Sequence, residues 1–257
     1  MRRPSLPALV VLSCCLLGAC TAEPDEAGTE APSPAAAASP STGPPAGTAG
    51  PAESTSTEAS SADTALTVSA PGESGPSGIE VVHGDDGVTT IRTGAAPGAP
   101  ATITLDSPGR LRVNADSTVT ILDDDGAPVA GLSRVTGGAQ LTAVDTTTVH
   151  VEASEATTAE TMLGTEAVES TAWGQREGGR SLAVAPTRWA RSAGEAGTDL
   201  VWAELVAADP EVDQPGMHDQ LVCHSIGAPD KDTWNLEPWR PDVGLVAVLA
   251  DRCNPTD

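Results

Sequence analysis

Residues 216–255 read GMHDQLVCHSIGAPDKDTWNLEPWRPDVGLVAVLADRCNP. This stretch holds the only two cysteines beyond residue 20, two of the four histidines, two of the five tryptophans and the only lysine. Phe and Tyr are absent from the chain, and all five tryptophans lie after residue 170. Because large aromatic side chains bury the most area, we expect the densest core in this C-terminal third.

The two cysteines of this stretch, Cys223 and Cys253, are predicted to form a disulfide. If the protein is exported, an even pair of this kind indicates a disulfide more often than free thiols. Closing the loop between them is expected to contribute about 3.5 kcal/mol to stability in the chain-entropy model. The same pairing excludes Cys223 as a nucleophile or a metal ligand.

A strip of aromatic and polar residues lies inside this loop, at Trp234, Asn235, Glu237, Trp239 and Arg240. Prolines on both sides of Trp239 favour a rigid extended segment, with Trp234 facing away from Asn235. Two interpretations are open. The tryptophans complete the core, or the five residues line a groove in which Trp239 stacks on a sugar or a peptide.

The histidines of the stretch, His218 and His224, flank an apolar segment. If the segment is helical, six residues place the two imidazoles about 240° apart, which argues against a shared metal site. Either histidine alone is a candidate general base, with Glu237 or Asp219 to orient it. No motif of a hydrolase, a metalloprotease or a nucleotide-binding loop is present, so we predict no cofactor and no metal.

Three helices and two extended segments are predicted for a C-terminal α+β domain over residues 180–257. An alternating strand covers residues 180–186, and Thr198 is a plausible N-cap for a helix over residues 199–208. A second helix ends at Gly227, and residues 242–252 are expected to form a third. Residues 199–208 and 242–252 also fit the alternation of a strand, so that alternative stays open for both. The WNLEPWRP strip supplies the second extended segment.

The region before this domain, residues 63–154, reads as meandering antiparallel strands. β-branched residues alternate with polar ones in five segments: residues 79–82, 88–91, 101–105, 118–122 and 148–151. Asp-Gly and Gly-rich turns separate these segments. A linker rich in Ala, Thr and Glu is expected over residues 155–179, between the β-rich region and the C-terminal domain.

Residues 1–19 resemble the signal peptide of bacterial lipoproteins. Arg2 and Arg3 precede an apolar run, and Leu-Gly-Ala leads to Cys20, which we expect to carry the lipid after cleavage. Residues 20–62 contain hardly any side chain large enough to build a core, so a disordered tether rich in Pro, Ala, Ser and Thr is expected. This places the protein on the outer face of the cell membrane.

The formal net charge of −23 excludes some partners. A chain this acidic repels polyanions, so we expect neither nucleic-acid binding nor electrostatic docking to anionic lipids. Membrane association would then depend on the lipid at Cys20.

The strings HDQLVCHSIGAPDKDTWNLEPWRPDVG and RCNP resemble a family of uncharacterised C-terminal domains in secreted and lipid-anchored proteins of actinobacteria. The resemblance covers roughly residues 181–255 and implies no activity. Because no catalytic constellation can be assembled and a tether commonly presents a binding domain to the wall, we expect a non-catalytic module that binds a cell-wall glycan, a peptide or an envelope protein. The alternative is a cell-envelope hydrolase that uses His218 or His224 with Glu237.

Overall fold

β-strands are the main secondary structure in a computed structural model, which describes residues 55–71 and 78–256. All of these residues belong to one compact unit. The predicted signal peptide, Cys20 and the tether up to residue 54 lie outside the described residues.

Two antiparallel sheets form the first part of the structure. The first sheet has five strands, in the spatial order Thr55–Ser61 (β1), Thr64–Ala70 (β2), Ala101–Leu105 (β5), Thr148–Ala153 (β10) and Ala139–Ala143 (β9). The second sheet has six strands, in the order Ile79–His83 (β3), Thr89–Ala95 (β4), Thr157–Gly164 (β11), Pro128–Leu132 (β8), Val119–Leu122 (β7) and Arg110–Val113 (β6).

Alternating side chains of the two sheets meet in one hydrophobic core. In β2, Leu66 and Val68 are fully buried, while the threonine between them is not. They share a cluster with Ile103 of the same sheet and with Ile91 and Ile121 of the other sheet. The two sheets therefore form a β-sandwich.

A third sheet and four helices follow the sandwich. The sheet has three antiparallel strands, Val168–Arg176 (β12), Gly179–Pro186 (β13) and Trp234–Leu236 (β14). The helices are Arg188–Ser192 (α1), Gly194–Ala208 (α2), Met217–Gly227 (α3) and Leu245–Ala250 (α4), with a 3₁₀ turn at Pro210–Val212.

The second core lies between this sheet and the helices. Leu182 pairs with Leu236 and Val184 with Trp234 across β13 and β14, so these four side chains share one face. All four are buried together with Leu221 of α3. The alternation along both strands thus directs one face of the sheet towards the helices.

Trp189 of α1 connects the two cores. Its indole N–H donates to the backbone carbonyl of Met162 in β11, at 3.2 Å. The ring lies against two glycines of the second sheet: a Cβ atom at Gly164 would collide with ring carbons at 2.3 Å, and one at Gly131 would be in tight contact with the ring at 3.2 Å. Because both positions lack a side chain, the indole packs directly on the sheet and is only 3% exposed.

The five strands predicted for the β-rich region are confirmed as β3, β4, β5, β7 and β10. The structure differs from the expected tether at residues 55–61, which form β1 although only Ala59 is fully buried there. Pairing of β1 with β2 along its whole length supplies backbone hydrogen bonds that composition does not reveal.

Residues 155–179 also differ from the expected linker, because they contain β11 and β12. β11 lies inside the second sheet, between β4 and β8. These neighbouring strands bury it, although its own sequence lacks the pattern of a buried strand. The overall fold class is therefore mostly β, with few helices, and not α+β.

The predicted helices are present with shifted bounds. α2 begins at Gly194, so Thr198 lies inside the helix and is not its N-cap. α3 ends at Gly227 as expected, whereas α4 is limited to Leu245–Ala250. Gly244 precedes α4 with a φ of 79°, which is incompatible with starting the helix earlier.

We expect the Gly164→Ala substitution to destabilise the whole unit by about 1–3 kcal/mol, because the new methyl group would overlap the Trp189 ring. Gly174→Ala in β12 is the matched control, since nothing lies within 4 Å of a Cβ atom there. Thermal unfolding of both variants measures the difference. Equal melting temperatures would show that Trp189 does not hold the helices on the sandwich.

Candidate functional site

The segment from Trp234 to Arg240 is held in place by α3. The Gln220 side chain of α3 is 1% exposed, and its amide bonds to both the backbone N–H and the backbone carbonyl of Glu237. Its amide N–H donates to the Glu237 carbonyl at 3.0 Å, and its carbonyl oxygen accepts from the Glu237 N–H at 2.8 Å. The chain direction after β14 is therefore fixed by a buried amide, which takes over where the pairing of β14 with β13 ends at Leu236.

Arg240 is the centre of a buried polar cluster, and its side chain is 1% exposed. Its Nε donates to the Glu237 carboxylate, which is also buried. Its terminal nitrogens donate to Glu177 at 2.7 Å, to the Asn254 side chain at 3.2 Å and to the Pro255 carbonyl at 3.2 Å. Every side of the guanidinium is thus occupied by the protein.

Glu177 reaches Arg240 from the turn between β12 and β13. Glu177 and Gly178 form this two-residue turn with φ values of 49° and 89°. Left-handed backbone at a glutamate is unfavourable by itself, and the ion pair with Arg240 gives a reason for an acidic side chain there. The Glu-Gly-Gly sequence between two alternating segments is a turn signal that was available in the sequence.

Trp239 lies next to this cluster and is 43% exposed. Its indole packs over Gly179, where a Cβ atom would collide with the ring, and the Arg240 guanidinium carbon is 4.5 Å from the ring centroid. The Gly179 backbone and the Arg240 guanidinium thus hold the indole ring in place, while part of it stays open to solvent.

The structure separates the five candidate binding residues. Trp234 is fully buried and its indole N–H donates to the Ala228 carbonyl at 3.1 Å. Glu237 and Arg240 are buried and paired with each other, and Asn235 is half-buried. Only Trp239 presents a large surface, so these residues do not form a continuous groove.

His224 and His218 lie on opposite sides of α3. His224 is buried, and its Nε2 lies 3.0 Å from the Asn235 carbonyl. Burial lowers the pKa of His224; the hydrogen bond to the Asn235 carbonyl opposes this shift, and the charge of Lys231 adds to it. The imidazole is therefore neutral at pH 7 and donates from Nε2. No acceptor or donor among the described residues reaches its Nδ1.

His218 is exposed and borders a cavity of about 610 Å³. Its ring meets that of Trp202 edge to face, with the centroids 5.0 Å apart. The cavity lies between α2, α3 and two loops of the sandwich, and its lining includes Asp116, Arg134, Glu195, Thr198, Val222 and Ile226. No sequence signal marked the first two of these residues, since they are about 80 or more positions away from His218.

The N terminus of α2 is capped by the sandwich and not by its own N-cap residue, which makes no side-chain hydrogen bond. The Asp116 carboxylate accepts from the Glu195 N–H at 2.9 Å, and the Thr118 hydroxyl accepts from the next N–H at 3.2 Å. Burial by itself raises the pKa of Asp116, but hydrogen bonds from Thr118 and from the Glu195 N–H outweigh it and hold this pKa below its usual value. Asp116 is therefore ionised at neutral pH and complements the helix dipole.

Residues 55–71 and 78–256 contain neither a cluster of metal ligands nor a membrane-spanning helix. Three or more His, Cys, Asp or Glu side chains do not converge anywhere in these residues as a metal site requires. None of the helices in the same residues is both long and apolar enough to span a membrane.

The predicted disulfide between Cys223 and Cys253 is confirmed, with Cα atoms 5.5 Å apart. The two cysteines and Val248 form a small core of their own, separate from the cores of the sandwich and of the third sheet. α4 is therefore joined to α3 through this small core, and the residues that follow α4 are also held by Arg240.

A family model described as "Protein of unknown function (DUF2599)" matches residues 168–256. The match starts at the first residue of β12 and includes the whole third sheet and all four helices. The C-terminal region of the chain therefore carries a domain of this family, as its sequence strings indicated. The domain begins within the segment that composition assigned to a linker.

Several uncharacterised mycobacterial proteins are similar to part of this chain. Uncharacterized protein Rv0477 of Mycobacterium tuberculosis and uncharacterized protein Mb0487 of Mycobacterium bovis are each 44% identical over 96 residues, which cover 34% of this chain and 65% of each relative. Uncharacterized protein ML2452 of Mycobacterium leprae is 36% identical over 61 residues, covering 22% of this chain and 50% of that protein. The chain thus spans less than two thirds of these relatives. No solved structure matches the chain.

Reduction of the Cys223–Cys253 disulfide is expected to release α4 locally. The chain-entropy model assigns about 3.5 kcal/mol to a loop of this size, and Val248 alone cannot replace it. Trp234 should stay buried because it belongs to the larger core of the third sheet.

Amide hydrogen exchange before and after reduction measures this release. Exchange should accelerate in residues 245–250 and stay slow in β13. Unchanged protection of α4 after complete reduction would contradict this account of its attachment.

Proposed function

We propose that this protein, whose C-terminal region carries a domain of unknown function, is a lipid-anchored, extracytoplasmic binding module without catalytic activity. In this proposal the C-terminal α+β part presents Trp239 to a ligand of the cell envelope, either a cell-wall glycan, a peptide or an envelope protein. The observation that carries the proposal is the contrast between Trp239 and its neighbours. The indole is open to solvent, whereas the polar groups beside it are already engaged within the fold.

A fixed, partly exposed indole is well suited to binding. The ring can stack on a flat apolar face of a ligand without changing its conformation, because Gly179 and Arg240 already hold it in place. The protein therefore offers a rigid aromatic surface at little conformational cost.

The alternative, a hydrolase using His218 or His224 with Glu237, has less support. The Glu237 carboxylate is buried and bound by Arg240, so it is not free to orient an imidazole. His224 is buried and donates to a backbone carbonyl. Among the described residues, no hydrogen bond joins either histidine to Glu237. A general base needs both an open substrate position and an orienting partner.

The lipid anchor in this proposal rests on the sequence around Cys20, which lies outside the described residues. A basic start, a short apolar run and Leu-Gly-Ala before the cysteine occur in the order that export and lipidation require. Two acyl chains on the processed cysteine would give stable anchoring.

Cys20→Ser should release the protein from the membrane fraction into the medium, because the thiol that carries the lipid is lost. Cys14→Ser is the matched control, since Cys14 lies in the apolar run that is removed with the leader. Fractionation followed by immunoblotting compares the two variants. Retention of the Cys20→Ser variant in membranes would show that the anchor lies elsewhere.

Trp239→Ala is expected to weaken binding to purified, insoluble cell-wall material by tenfold or more, because the stacking surface is removed. Val246→Ala is the control, since Val246 is 84% exposed and lies outside the cluster. His218→Ala should bind as the wild type does. Co-sedimentation measures all of these affinities, and circular dichroism checks that each variant is folded.

Two outcomes of this experiment would overturn the proposal. Equal binding by wild type and Trp239→Ala would exclude the indole as the recognition surface. Degradation of the wall material by the wild type, and its loss in His218→Ala, would favour the hydrolase.

A further inference from the structure

We infer that the cavity between α2, α3 and the sandwich is a second binding site, which takes a short peptide with both termini free. The site is independent of the Trp239 surface. Its volume of about 610 Å³ lies within the range of roughly 300–1,000 Å³ that is typical of small-molecule sites. It exists only because the helices pack on the sandwich, so that neither part of the chain forms it alone.

One wall of the cavity is apolar. Val222 and Ile226 are four residues apart on α3 and face the cavity together. Ile226 is 64% exposed, although an isoleucine in a helix ordinarily faces a core. Ala190 of α1 continues this wall. An apolar side chain of a ligand would remove these groups from water.

The charges around the cavity are balanced, in contrast to the net charge of −23 of the whole chain. Arg134 and Arg191 contribute two guanidinium groups, and Asp116 and Glu195 contribute two carboxylates. A third carboxylate, that of Asp199, is paired with an arginine outside the lining. A ligand bearing one positive and one negative group matches this pattern, whereas an anion would be repelled from most of the remaining surface.

Arg134 is the group available to a ligand carboxylate. Its Nε donates to the Asp116 backbone carbonyl at 2.9 Å, which fixes the guanidinium plane. Its side chain is 65% exposed, and its distance to the Asp116 carboxylate is 3.9 Å. That carboxylate already accepts hydrogen bonds from Thr118 and Glu195. The terminal nitrogens of Arg134 are therefore suited to a bidentate pair with an incoming carboxylate.

Arg191 supplies charge to the cavity, while four of its five N–H donors are already used within the fold. Its nitrogens donate to the backbone carbonyls of Pro186, Pro229, Lys231 and Asp232. Carbonyl oxygens satisfy the hydrogen bonds but leave the positive charge uncompensated. This charge lowers the cost of placing a carboxylate in the cavity.

Polar side chains along the cavity favour a peptide over a fatty acid. Thr198, Ser225 and His218 lie beside the apolar groups of the lining; the Thr198 and Ser225 hydroxyls donate to backbone carbonyls of their own helices and can still accept hydrogen bonds. An acyl chain would remove water from these groups without replacing its hydrogen bonds, which is costly, whereas amide groups of a peptide can donate and accept. Glu195 has no cationic partner among the described residues and would pair with the amino terminus of the peptide.

The test uses the ¹⁵N-labelled full chain and the tripeptide Ala-Leu-Ala, either unmodified, amidated at its C terminus or acetylated at its N terminus. The Trp202 indole N–H reports binding, because Trp202 contacts His218 at the cavity rim. We expect the unmodified peptide to shift this signal saturably at millimolar or lower concentration. Each blocked peptide should bind at least tenfold more weakly, since one charge pair is lost.

Variants assign the two ends of the peptide. Arg134→Gln should bind the unmodified and the amidated peptide with equal affinity. Glu195→Gln should bind the unmodified and the acetylated peptide with equal affinity. Arg92→Gln is the matched control, because Arg92 is an exposed arginine on β4, outside the cavity. Ile226→Asn should weaken all three peptides, whereas Val129→Asn, at a valine that is 39% exposed on β8, should not.

Several results would overturn this inference. They are the absence of any saturable shift with the three peptides, equal affinity for all three, or an unchanged preference in Arg134→Gln and Glu195→Gln. Binding of decanoate in place of the peptides would assign the cavity to lipids. Trp239→Ala should leave peptide binding intact, so that failure of this inference and failure of the proposed function can be told apart.

Discussion

The buried guanidinium of Arg240 is the interaction on which the C-terminal part of the structure depends. A charge this deep in a protein is strongly unfavourable unless it is paired and hydrogen-bonded. The chain meets this requirement by bringing together the β12–β13 turn through Glu177, the segment after β14 through Glu237 and the C-terminal residues Asn254 and Pro255. Three separate segments are thereby held at one point.

The pairing of Arg240 also decides which chemistry is available. Because Glu237 balances the buried cation, it cannot serve as a free carboxylate, and the most obvious catalytic partner for a histidine is removed. The neighbouring Trp239 has no such role in neutralising charge. Its ring is supported on Gly179 and remains accessible, which makes binding the better-supported interpretation of this surface.

Packing of the helices on the sandwich creates the second feature of interest. Trp189 fits over Gly131 and Gly164, and Asp116 with Thr118 caps α2 from across the interface. These contacts bring side chains from two sandwich loops next to Val222 and Ile226 of α3. The cavity is thus a consequence of the same contacts that make the described residues one unit.

The sequence alone determined the features that depend on local pattern or on residue type. β-branched alternation indicated five strands of the sandwich, Gly227 indicated the end of α3, and two lone cysteines behind a predicted export signal indicated the disulfide. Short strings around Cys223 and WNLEPWRP were sufficient to indicate the domain family. Such features are readable because each one depends on neighbours within a few positions or on an unusual residue type.

Tertiary structure alone decided the remainder. β1 and β11 are strands because partner strands supply their hydrogen bonds and burial, while their own Thr- and Glu-rich sequences resemble linkers. Whether Glu237 and Arg240 face a ligand or each other depends on Glu177 and Pro255, which no spacing rule connects to them. The cavity brings Arg134 close to His218 across more than 80 residues of chain. Contacts between residues so far apart in the chain arise from how whole sheets and helices pack. Local sequence patterns therefore do not predict them.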